Sequence, residues 1–240
     1  MRRLLAIAAA CVALHAAAQT PLQEVAASGD LAALARWLDA GANPNGRGDN
    51  GATALHAAAR AGQAAAIALL LSRGAALEAK NDDGETALFV AAEYGRLDAV
   101  RALLERKADA STSTPTGETP LHVAAMDGST AVIDALVAAR ADVRVRNKAG
   151  EGPLFWAAGA GNAAAIRRLL ALGTPVNAQD DAGHTALHAA ADGGHTEAVK
   201  ALLEGRADPT LRNKAGERAV DLARGRGEAE VVRLLEGASR

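Results

Sequence analysis

The chain has 240 residues, half of them apolar but only 2% aromatic, with a formal charge of −2 at pH 7. That balance argues against a nucleic-acid binder working through a broadly basic surface. An apolar set dominated by Ala and Leu argues against a wide sheet and for thin helices that approach one another closely.

Residues 1–18 stand apart from the rest. Arg2 and Arg3 precede an apolar run from Leu4 to Leu14, and Ala16, Ala17 and Ala18 lead to Gln19. This is the pattern of a secretory signal peptide, with cleavage expected after Ala18. The apolar run is about half of the ~20 residues that cross a bilayer, so no integral membrane anchor is expected. A twin-arginine signal would need a longer polar motif around Arg2 and Arg3. A lipoprotein signal at Cys11 would need a polar mature start, and apolar residues follow instead. Cleavage removes the only Cys, two of the 26 basic residues and none of the 28 acidic ones, leaving a chain of charge about −4 that forms no disulfide. Arg outnumbers Lys 21 to 5, a bias associated with GC-rich bacterial genomes. With the leader, it makes the periplasm or the outside of the cell the expected destination.

Beyond the leader the chain repeats. Gly51, Gly84, Gly117, Gly150, Gly183 and Gly216 are each 33 residues apart, and Gly62, Gly95, Gly128, Gly161, Gly194 and Gly227 follow in a second fixed register. Leu55, Leu88, Leu121, Leu154 and Leu187 keep the same phase, as do Leu70, Leu103, Leu136, Leu169, Leu202 and Leu235. In the unit 180–212, Gly183 permits a positive φ in a turn and Thr185 can cap a first helix carrying Ala189, Ala190 and Ala191. Gly194 ends that helix. A second helix from Glu197 to Leu203 presents Val199, Leu202 and Leu203 at helical spacing.

Seven units result. Residues 19–47 form an N-terminal cap, 48–80, 81–113, 114–146, 147–179 and 180–212 are internal repeats, and 213–240 form a C-terminal cap. In the last unit Arg218 and Glu236 replace Thr and an apolar residue, and both are expected to face water. The residues Thr185, Ala186, Leu187, His188, Ala189 and Ala190, then Gly194, Leu202–Leu203 and Ala207–Asp208, resemble the ankyrin repeat. The resemblance covers essentially the whole of 19–240 and implies an all-α solenoid of helix-turn-helix repeats joined by hairpin-like turns.

It further implies a protein-binding module, a monomer without cofactor, whose partner docks on the concave surface of turn tips and first helices. By position, the tips hold Asp49, Asp82, Pro115, Lys148, Asp181 and Lys214, and the helix slots before the second glycine include Arg60, Glu93, Tyr94, Met126 and Asp127. Repeats three and four gather Asp82, Asp83, Glu85, Glu93, Tyr94, Glu118, Met126 and Asp127, an acidic area around one aromatic ring and one thioether. It suits a partner with a basic surface and an apolar anchor, and Trp156 offers either a further contact or packing. The competing reading is a face charged only for solubility. A secreted effector engaging host proteins through the same groove is the alternative to a periplasmic role.

Chemistry is not expected. The mature chain has no Gly-x-Ser-x-Gly elbow, no phosphate-binding glycine loop with Lys and no Cys nucleophile. The pairs Asp82–Asp83 and Asp180–Asp181 fall in turns, where enclosure is insufficient to separate two carboxylate pKa values. His56, His122 and His188 lie two repeats apart, about 20 Å for packed helices, and cannot share a metal ion. The resemblance makes them structural, bonded to turns between units. His184, His188 and Asp192 have helical ligand spacing, but His184 sits at a variable turn position, so no metal is expected.

Overall fold

The computed structural model describes residues 22–238, and the leader expected over 1–18 lies outside them. Among the described residues fourteen α-helices form seven successive pairs. They are α1 (Leu22–Ser28) with α2 (Leu31–Asp39), α3 (Ala54–Ala61) with α4 (Ala64–Ser72), and α5 (Ala87–Glu93) with α6 (Leu97–Glu105). Then come α7 (Pro120–Asp127) with α8 (Thr130–Ala138), α9 (Pro153–Gly159) with α10 (Ala163–Ala171), α11 (Ala186–Asp192) with α12 (Thr196–Glu204), and α13 (Ala219–Arg226) with α14 (Ala229–Ala238). Each first helix packs on the first helix of the next unit, and each second helix on the next second helix. The molecule is an all-α solenoid.

Small residues set the spacing of the stack. Ala58, Ala59, Ala91, Ala92, Ala124, Ala125, Ala157, Ala158, Ala190 and Ala191 are fully buried along the first helices, and side chains this small let backbones close up. The second helices supply the bulk. Leu70, Leu103, Leu136, Leu169, Leu202 and Leu235 are fully buried, each worth about 1.5–3 kcal/mol by removal of its side chain from water.

The first helices begin alike. Thr53, Thr119 and Thr185 hold extended backbone, and their N–H groups donate to Nδ1 of His56, His122 and His188 at 3.2, 3.1 and 3.1 Å. A backbone N–H only donates, so Nδ1 must be the bare acceptor and Nε2 must carry the hydrogen. Nε2–H then donates to the carbonyl of Glu85, Glu151 or Glu217 in the next unit, at 3.0, 3.1 and 3.1 Å. Each imidazole is thus a neutral rivet between adjacent units, and burial holds its pKa below the usual histidine value.

The links between units are tight turns with few strand-like pairings; the isolated bridges are Gln179 with Thr185 and Arg212 with Arg218. Asn81, Asn147 and Asp180 N–H groups close them on Glu85, Glu151 and His184 carbonyls at 3.0, 2.9 and 2.9 Å. Successive tips are joined: Asp82 N–H donates to Asn50 O, Lys148 to Thr116 O, Asp181 to Ala149 O and Lys214 to Ala182 O, each at 2.9 Å. Pro115 occupies the same slot without an N–H, so the ladder is broken between units three and four. Its ring packs instead where Gly84 (φ +79) has no Cβ.

Two terminal features refine the sequence reading. Glu236 is exposed, but Arg218 is half-buried and its guanidinium donates to Asp221 at 3.1 Å through both Nε and Nη2. It does not simply face water, because Asp221 accepts from the Arg218 backbone N–H as well (3.0 Å) and so caps α13 in place of a threonine.

Unit five lacks any such cap. Gly152 precedes α9 with φ −108 and ψ 174 and no side-chain hydrogen bond, whereas Thr119 holds φ −111 and ψ 166 in unit four. Thr86, also followed by Phe at the third helical position, accepts from the Phe89 N–H at 3.3 Å. A Cβ at Gly152 would meet the Val145 carbonyl at 3.3 Å, a contact a shift of a few tenths of an ångström relieves. Gly152→Thr is therefore expected to stabilise the fold by about 1 kcal/mol, combining a new cap with a stiffer unfolded chain. Chemical denaturation checks it, and an unchanged or lowered midpoint would contradict the capping assignment.

Candidate functional site

A groove of about 520 Å³ runs along the first helices of units one to three. The turn tips supply Asp49 and Asp83, the residue after the turn glycine is Glu85, α1, α3 and α5 supply Glu24, Arg60 and Glu93, and Tyr94 follows the end of α5. Five carboxylates face one guanidinium there. Arg60 lies over the Tyr94 ring, with Cζ 4.6 Å from the centroid, and donates through Nη2 to the phenol oxygen. Asn81 Nδ2 steadies Glu85 at 2.7 Å. Burial, reinforced by the charge of Glu85 and opposed by Arg60, pushes the Glu93 carboxyl above its ordinary pKa.

Four of the residues singled out in the sequence, Asp83, Glu85, Glu93 and Tyr94, line this groove. The others lie elsewhere. Asp82 turns to Arg47, 2.8 Å away and exposed, a pair worth at most about 1 kcal/mol. Glu118 is clasped by the hydroxyls of Thr114 and Thr116. Burial alone would raise its pKa, but those bonds together bring it below the usual carboxylate value. Met126 is 39% exposed on α7, beside Asp127, whose pKa burial raises. Trp156 is half-buried against the core; its indole N–H donates to Glu151 at 3.0 Å and its ring meets His122 edge-on, with centroids 5.6 Å apart. Trp156 is committed to packing.

The sequence reading missed Glu24 and the stacking of Arg60 on Tyr94. Glu24 belongs to the unit read only as a cap, and its counterparts Ala57 and Val90 carry no charge. Arg60 and Tyr94 are 34 residues apart, a separation that a 33-residue repeat brings into contact, and this was the available signal.

His184 and His188 offer little to a metal ion. His188 uses both ring nitrogens within the fold, while His184 approaches Asp180 at 3.4 Å and Asn213 at 3.0 Å. Among the described residues no group of three or more His, Cys, Asp or Glu is placed to hold a metal. No helix among them is long and apolar enough to cross a membrane.

Comparison with known proteins agrees with this architecture. A family model described as ankyrin repeats matches three times, over residues 14–114, 107–180 and 154–239. The crystal structure of the human ASB11 ankyrin repeat domain is similar at 31% sequence identity and a TM-score of 0.81, covering 91% of this chain and 99% of that one. The search of curated protein sequences returned no match.

Proposed function

The chain belongs to the ankyrin-repeat family, whose repeats serve protein–protein interaction, and we propose that it binds a partner protein on its concave face through the acidic groove of units one to three. One observation carries the reading: Glu24, Asp49, Asp83, Glu85 and Glu93 converge around the Arg60–Tyr94 stack in a groove of about 520 Å³. A partner segment bearing Lys or Arg supplies the missing positive charge, and Tyr94 supplies a flat ring for a cation or an apolar side chain. Met126, exposed on α7, extends the surface toward unit four. The open groove gives a reacting group no enclosure, so the role is binding without catalysis.

The leader pattern at residues 1–18 supports action in the periplasm after export. The test is affinity capture from a periplasmic extract of the source organism, with residues 19–240 beside a Glu85→Lys, Glu93→Lys form. The expected result is a basic protein held by the first, lost by the second and released as salt rises from about 0.05 to 0.5 M, as screening weakens such contacts. Equal retention by both forms refutes the groove. Appearance of the protein in culture medium, with no periplasmic partner, favours a secreted effector.

A further inference from the structure

A second cavity, of about 190 Å³, opens beside the start of α9, bounded by the links on either side of unit five. Its walls include four positions where this unit departs from most of the others, Phe155 sharing its slot only with Phe89 of unit three. Gly152 stands where Thr53, Thr86, Thr119 and Thr185 stand elsewhere, and Phe155 takes the slot of His56, His122 and His188. Thr174 replaces Ala42, Ala75, Ala108, Ala141 and Ala207, and Pro175 replaces Asp109, Asp142 and Asp208. Val176 completes an apolar wall. Three of the departures remove a polar group; the fourth introduces the Thr174 hydroxyl, buried with no hydrogen-bond partner among the described residues. Such a group costs about 1–3 kcal/mol unless an acceptor is supplied.

The charges around the cavity are unequal in availability. Glu151 accepts from Asn147 and from the Trp156 indole, and Asp180 accepts from the Ala182 and His184 N–H groups. Arg146 donates to the Gly150 and Gln179 carbonyls. Arg144 lines the same cavity, is exposed, and has no side-chain partner among the described residues.

We propose that this cavity binds a small aromatic carboxylate. Its volume exceeds the ~150 Å³ apolar cavity that accommodates benzene, so a single ring fits beside Phe155 and Val176. The carboxylate then meets the unpaired guanidinium of Arg144 at the rim. Sites of this make-up, mostly apolar with a few placed polar groups, are the usual form for small ligands.

Phenylacetate is the probe, titrated into ¹⁵N-labelled protein, with benzyl alcohol as its uncharged counterpart. Saturable shifts centred on the Gly150, Gly152 and Val176 amides are expected, with Kd on the order of 0.1–1 mM for a ligand of this size. Gly152→Thr, which narrows the cavity while strengthening the fold, is expected to weaken phenylacetate binding at least about tenfold; a loss of binding there cannot come from unfolding. Arg144→Gln is expected to weaken phenylacetate about fivefold or more and leave benzyl alcohol unchanged, as a contact to charge alone would. Absence of saturable shifts at about 20 mM, or undiminished binding to Gly152→Thr, overturns the site. Equal response of both ligands to Arg144→Gln overturns the carboxylate assignment.

Discussion

Acidification from pH 7.5 to 5.5 is expected to lower stability steeply, because His56, His122 and His188 are held neutral in the fold. Burial depresses all three pKa values below the ordinary 6.5. The hydrogen bonds at Nδ1 act in the same direction, since protonated Nδ1 can no longer accept from the N–H of Thr53, Thr119 or Thr185, and they and burial together outweigh donation from Nε2 to the Glu85, Glu151 and Glu217 carbonyls, which favours the charged ring. The unfolded chain therefore binds protons first, starting near pH 6.5, and stability falls from there as pH drops toward the folded pKa values. With up to three extra protons bound by the unfolded chain, the slope reaches about 4 kcal/mol per pH unit. Above about pH 7 the contribution of these groups is complete and flat. Glu93 and Asp127, whose pKa values burial raises, act in the opposite sense: they favour the fold below the ordinary carboxylate pKa near 4 and lose that effect as pH rises. Their window opens near pH 4 and extends upward, whereas that of the histidines extends downward from about pH 6.5. Denaturant midpoints measured between pH 5 and 8 test this, with His56→Phe, His122→Phe and His188→Phe combined as the control, since Phe89 fills the same slot at 5% exposure. That variant should flatten the pH dependence. If its slope matches the wild type, the histidines are not its source.

The repeat itself was legible because its markers are backbone requirements and fully buried side chains, which recur every 33 residues whatever the surface does. Leu70 through Leu235 and the alanine pairs of the first helices are of that kind. The histidines were legible as inter-unit contacts, though their tautomer follows only from which backbone groups face each nitrogen. The groove was partly legible. Asp83, Glu85, Glu93 and Tyr94 sit in outward-facing slots of the repeat and meet there, but Asp82 and Glu118 were drawn off by Arg47, Thr114 and Thr116, and a neighbour one unit away is invisible in a linear motif. Arg218 misled for a related reason: a charged residue at a cap position was read as solvated, whereas Asp221, three residues on, neutralises it at the helix start. Gly152 and Phe155 were visible as departures from the repeat, yet the cavity they form with Thr174 required the two links to be placed side by side.

Replacing Lys107, Arg140 and Arg206 together by glycine is expected to stabilise the solenoid by about 0.5 kcal/mol, although it removes three charges and adds no contact. Each follows the end of a second helix in the left-handed region, with φ of 70, 71 and 65°. In the same slot of other units stand Gly41, Gly74 and Gly173, with φ of 91, 84 and 87° and no atom within 4 Å of where a Cβ would be. The space is open, so the cost of a side chain there is conformational: about 1–2 kcal/mol for a non-glycine residue in this region. Against it stand the extra freedom glycine gives the unfolded chain, about 0.4–1 kcal/mol, and the attraction of a cation to the helix C-terminus, about 0.3–1 kcal/mol. The balance spans about −1 to +1.3 kcal/mol per site and is centred near +0.2 kcal/mol, and three separated sites should add. Because neighbouring units bury their apolar faces on one another, the gain should appear as one shifted transition, about 1–2 °C higher in Tm. Arg106→Gly is the matched control: it neighbours Lys107, ends α6 with φ −86°, and gains nothing from glycine, so its midpoint should fall. If the triple variant instead melts at or below the wild-type temperature, the basic side chains bind the helix-end carbonyls more strongly than the left-handed backbone strains them. In that case the glycines of the other units, not these cations, mark the weaker helix ends.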